Sequence, residues 1–117
     1  MTFVFRWGIV ETEGEPGTWD PTLSIEACLS HQTDALLLRA DDLPEEFFDL
    51  SSGVAGEVLQ RFANYRIRLA VIAGPERFSS RFADLLFEER GRGRFAIFDD
   101  PDAARVWLLG SPSPASA

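Results

Sequence analysis

Hydrophobic positions in this chain follow two spacings, short continuous runs and helical stripes, and these take turns along its length. Phe3, Val4, Phe5, Trp7, Ile9 and Val10 are strand formers in partial alternation, which predicts one strand over Phe3–Glu11. A loop rich in Glu, Gly and Pro runs on to Trp19. Asp20-Pro21 then reads as a helix start, Asp as N-cap and Pro at the first helical position, with Leu23, Ile25, Cys28 and Leu29 as an apolar face up to about His31. Ala35–Arg39 (ALLLR) is a continuous apolar run, the mark of a strand covered on both sides.

Asp42-Leu43-Pro44-Glu45 reads as the cap of a brief turn that leads into Phe47 and Phe48. Ser51 or Ser52 is expected to cap a longer helix. Its face is Val54, Ala55, Val58, Leu59 and Phe62, all on one side at helical spacing. Ile67–Ala73 is the next buried strand, broken by Gly74-Pro75. A helix from Ser79 or Ser80 turns Phe78, Phe82, Leu85 and Leu86 inward and ends at Gly91. Phe95–Phe98 is a strand, and Asp99-Asp100-Pro101 caps a last helix with Ala103, Ala104, Trp107 and Leu108 facing in. The order β-α-β-α-β-α-β-α predicts one α/β domain over residues 1–110, with four or five mostly parallel strands and alternating helices. Residues 111–117 read as a disordered tail.

Composition narrows the function. An apolar fraction of 45% with ten Phe and three Trp fits a packed core. No apolar run approaches the ~20 residues of a membrane span, and the N-terminus lacks the pattern of a secretory leader. With a single cysteine, Cys28, no internal disulfide forms, and the cytoplasm is the expected compartment.

Charge is split along the chain. Residues 1–57 carry a net −10 and residues 58–117 a net +2, giving −8 in all. That balance opposes nucleic-acid binding, which needs a basic surface, and suits docking on a protein partner or a second copy through complementary fields. All eleven basic residues are Arg. The absence of Lys excludes a Walker-type phosphate loop and Schiff-base catalysis.

Four groups of residues invite a functional reading. Ser51, Ser52 and Gly53 open a helix where backbone N–H groups and hydroxyls meet, a place for a phosphate or an ordinary N-cap. Phe47 and Phe48, with Asp49 beside them, either divide between core and surface, as in an extended segment that offers one ring to a groove or interface, or both pack in the core where a turn tucks them inward. Arg90, Arg92 and Arg94, spaced by Gly91 and Gly93, form either an anion or partner contact or the basic end of a helix. Asn64-Tyr65-Arg66 ends the long helix, either as a polar trio for a ligand or as a helix terminator. Asp99, Asp100 and Asp102 read as a cap before Pro101 rather than as metal ligands. With one His and one Cys, no zinc site is expected; nor is any cofactor, and no catalytic set stands out.

Three segments carry a resemblance. LLLRADDLPEEFFDLSSGVAGEVLQ resembles the strand, loop and helix of STAS domains, the modules of anti-sigma-factor antagonists; VIAGPERF and FAIFDDPDAARVWL resemble that fold's later strand and closing helix. The phrase FFDLSSGVAGEVLQRFANYR is closer still to a bacterial family of unknown function (DUF4180-like). The resemblance implies a STAS-like, non-enzymatic regulatory or protein-binding module with Ser52 as the switch by position. A small-molecule-binding protein or small enzyme is the alternative. In STAS switches an Asp directly precedes the serine pair; here Leu50 holds that place and Asp49 stands one residue earlier. The strand pair at the start of that fold is read here as a single strand.

Overall fold

The computed structural model describes residues 2–13, 20–74 and 80–110. Its elements are β1 (Thr2–Arg6), β2 (Ile9–Glu13), α1 (Pro21–Ser30), β3 (Ala35–Arg39), α2 (Val54–Asn64), β4 (Arg68–Ile72), α3 (Ser80–Gly91), β5 (Phe95–Phe98) and α4 (Pro101–Gly110). Three short 3-10 turns, Ala40–Asp42, Glu45–Phe48 and Leu50–Ser52, join β3 to α2. The fold is α/β, around one five-stranded sheet in the order β1-β2-β3-β4-β5. The tail 111–117 and the predicted helix start at Ser79 with Phe78 lie outside the described residues.

The expected single N-terminal strand is a hairpin. β1 and β2 pair antiparallel, with Arg6 opposite Ile9. Trp7 and Gly8 fill the two-residue turn with φ of 52° and 79°, the double positive φ that a type I′ turn requires. The β-forming run hides this reversal, because Trp occupies a position usually given to Asn or Asp. The sheet is therefore mixed rather than mostly parallel: β2, β3, β4 and β5 run parallel, and β1 runs against them.

Strand order follows chain order, so successive crossovers of one hand put α1, α2 and α3 on the same face. Leu36 and Leu38 of β3 join Cys28, Val58, Phe62 and Phe82 there. Ala35 and Leu37, one residue out of phase, meet Ala104 and Leu108 of α4 on the other face. β3 is thus buried on both sides, as its continuous apolar run predicts.

Helix faces match the expected stripes with exceptions. Ala55, Val58 and Phe62 of α2 are buried. In α1 the inward residues are Ser24, Ile25 and Cys28, whereas Leu23 and Leu29 are exposed. In α4, Ala104 and Leu108 face in and Ala103 does not. One ion pair bridges sheet and helix: Arg105 of α4 donates from Nε (3.0 Å) and Nη2 (3.1 Å) to the two oxygens of buried Glu11 on β2. This bidentate bond, with the charges of Glu11 and Asp102, raises the Arg105 pKa.

Candidate functional site

Between β3 and α2 the chain makes an acidic connection whose shape is set by two buried rings. Phe47 and Phe48 are both in the core, which selects the turn over the extended alternative. The 3-10 winding of Glu45–Phe48, closed by Phe47 N–H to the Pro44 carbonyl at 3.0 Å, removes the up-and-down alternation of an extended chain. Phe47 packs edge-on against Phe48, Phe82 and Phe95 at centroid distances of 5.3, 6.0 and 6.0 Å. Such pairs add about 0.5–1.5 kcal/mol each beyond area burial. Asp42, expected to cap this turn, is buried instead; it accepts the Thr12 hydroxyl and, at 3.1 Å, the Arg39 N–H.

On that anchor sits an exposed, self-bonded turn. The Asp49 carboxylate accepts the Ser51 N–H at 3.1 Å and the Ser51 hydroxyl at 2.6 Å. The Ser52 hydroxyl points to the carbonyls of Glu46 (2.6 Å) and Asp49 (2.7 Å) and accepts the Val54 N–H at 3.2 Å. Neither serine is the N-cap of α2. Gly53 is, with a φ of 80° that admits glycine readily, so the serines expected to cap the helix stand one and two residues ahead of its actual cap. Ser51, Ser52 and Gly53 are all exposed, as are Glu45, Glu46 and Asp49.

The same end of the sheet, where the parallel strands finish, holds a depression of about 350 Å³ lined by Arg39, Ala40, Asp41, Ile72, Ala73, Gly74 and Asp99. At the opposite end, Arg92 and Arg94 both reach Glu89, at 3.4 and 3.3 Å. Arg90 lies in α3 with its side chain outside the described residues. Sequence reading grouped the arginines by their spacing alone. The fold adds Arg66, Arg68 and Asp34 around them, residues distant in sequence whose only signal was the Asn64-Tyr65-Arg66 helix end.

Other candidates resolve simply. Asp100 caps α4 through the Asp102 N–H at 3.2 Å. His31 stacks on Phe5 at 4.3 Å between ring centroids. Cys28 is fully buried, and that burial, helped by the charge of Asp34, pushes its thiol pKa up to about 12. Among the described residues no three His, Cys, Asp or Glu side chains converge as metal ligands, and no helix is long and apolar enough to cross a membrane.

A family model described as "Domain of unknown function (DUF4180)" matches residues 19–108. The chain belongs to the DUF4180 family. The match spans the acidic connection, α2, the arginines and α4, and begins after the β1–β2 hairpin. No curated protein matches the chain. No solved structure does either.

Proposed function

We propose that this DUF4180 protein works by binding a protein partner rather than by turning over a substrate, with the exposed Asp49–Gly53 turn as the recognition surface. One observation carries the reading: two exposed hydroxyls and a carboxylate are held in fixed positions on a turn anchored by fully packed rings. A surface organised before binding loses little conformational freedom on contact. Glu45, Glu46 and Asp49 make it acidic, so the complementary partner is basic. The finer fold assignment, a STAS-like module, is supported by the motif resemblance and by the hairpin that opens the sheet.

Ser52 is the regulatory position in this reading. A phosphate on its oxygen removes the proton shared with the Glu46 and Asp49 carbonyls and sets negative charge beside Asp49, so the turn opens. The test is affinity capture from the source cell. Wild-type chain is expected to retain a partner that Glu46→Arg with Asp49→Asn releases by about tenfold or more through lost charge complementarity, and that Ser52→Asp releases by breaking the hydroxyl bonds that hold the turn. Equal recovery by all three chains would refute the surface assignment.

The second reading is a small-molecule-binding protein or small enzyme. The depression lined by Arg39, Asp41 and Asp99 favours it, since ligands of open α/β sheets gather at the carboxyl ends of strands. Saturable ligand binding abolished by Asp41→Asn, with partner capture unchanged, would select this reading over the first.

A further inference from the structure

The amino-terminal ends of β3, β4 and β5 enclose a second, oppositely charged place. Two adjoining hollows, of about 270 and 160 Å³, share Ala63, Arg92 and Arg94 as common lining. Arg66 and Arg68 enter from the α2–β4 connection, Arg92 and Arg94 from the α3–β5 connection. Two carboxylates line the same space. Asp34 lies 3.5 Å from Arg68, which also donates to the Leu108 carbonyl and covers the Trp107 ring at 5.8 Å. Arg68 is thus a fixed wall. Glu89, mostly buried, serves Arg92 and Arg94 together. Arg66 is exposed and pairs with no carboxylate among the described residues. Four guanidinium groups against two carboxylates leave two positive charges uncompensated, in a chain whose total is −8.

The backbone adds to this. α2 ends in a Schellman turn: Ile67 N–H reaches the Phe62 carbonyl at 2.9 Å and Arg66 N–H the Ala63 carbonyl at 3.0 Å. The left-handed residue of such a turn is usually glycine. α3 ends in a similar turn with Gly93 at φ 74°, yet α2 places Arg66 there at φ 58°. Gln32 takes the same conformation in the turn that ends α1, at φ 55°, so this backbone cost is not particular to the groove; what the turn does here is hold Arg66 at the rim of the cationic hollow.

We propose that this groove binds a small dianion, a phosphomonoester or a dicarboxylate, through Arg66, Arg92 and Arg94. Guanidinium groups grip both ligand types in the same two-pronged way, and two net charges match a dianion. The hollows are too confined for a duplex, and the negative chain repels nucleic acid from outside. Because the groove lies at the opposite end of the sheet from the Asp49–Gly53 turn, this inference stands or falls apart from partner binding.

The test is calorimetric titration of the full chain with phenyl phosphate and with succinate at low ionic strength. Saturable one-to-one binding of either probe is expected, weakened about tenfold or more by Arg66→Gln or Arg92→Gln and unchanged by Arg81→Gln, an exposed arginine at the start of α3. Binding of only the phosphate ester assigns a phosphomonoester ligand, binding of only succinate a dicarboxylate, and both together the shared dianion chemistry. Arg66 and Arg92 are exposed, so the variants are expected to fold, which a thermal melt confirms. No saturable heat with either probe, or equal affinity in the Arg66 and Arg92 variants, would overturn the proposal.

Discussion

The two ends of the sheet are built on opposite plans. At the carboxyl end the chain spends its long β3–α2 connection on acids displayed over buried phenylalanines, and its polar side chains bond to their own turn. At the amino end two short helix-to-strand turns bring arginines together, and one carboxylate, Glu89, must serve two of them. The acidic end is thus rigid and internally satisfied, whereas the basic end holds surplus charge. Rigidity at one end and unspent charge at the other are different ways of being ready for a partner.

The largest effect should come from removing the anchor of the acidic end. Phe47→Ala is expected to cost about 3–5 kcal/mol in urea unfolding, since three rings lose their common neighbour. If the loss is below about 1 kcal/mol, the acidic turn is not held by the core and the contrast between the ends fails. Arg105→Ala should come next, at about 3 kcal/mol, because it strands buried Glu11 without its bidentate partner. That change lies between the ends, and partner capture and anion binding per folded molecule are expected to survive it.

A third prediction uses pH. The Cys28 thiol, with a folded pKa of about 12 against an ordinary value of 9.0, binds its proton more tightly folded than unfolded. The contribution is complete below pH 9.0 and is lost as pH climbs toward about 12, by up to about 1.4 kcal/mol per pH unit. Alkaline unfolding of wild type beside Cys28→Ala should therefore show the slope in wild type alone. An equal slope in both chains would place the cause elsewhere.

The smallest effect is the most discriminating. Arg66→Gly should stabilise the chain by up to about 1 kcal/mol by relieving the left-handed backbone, while abolishing dianion binding. Gly53→Ala, at the acidic end, should do the reverse to stability by a similar amount. Nothing lies within 4 Å of the added carbon there, so backbone strain alone sets that cost.

Much of this molecule was legible in its sequence because local chemistry decided it. Continuous apolar runs located β3, β4 and β5, and Asp20-Pro21 and Asp100-Pro101 placed two helix starts where side chains do cap them. Failures came where backbone conformation overrode side-chain preference. Trp7 turns a hairpin that its β propensity denies, and Gly53 takes the cap expected of a serine. The candidate sites fared unevenly for a related reason. The Asp49–Gly53 turn is contiguous and could be read directly. The arginine groove is assembled from two connections whose neighbourhood only the β4–β5 pairing creates.

The strand order, one to five without a swap, bears on how the chain comes into being. Each strand pairs with one that precedes it in the chain, so a polypeptide leaving the ribosome can extend its sheet edge by edge without waiting for a distant segment. Among the described residues α4 alone returns across four strands, touching β2, β3, β4 and β5, and the Glu11–Arg105 clasp closes only when this helix arrives. Until then Ile9, Ala35, Leu37 and Ala70 lack the contacts of Ala104 and Leu108, and docking of these ten residues supplies them, ending that exposure to aggregation.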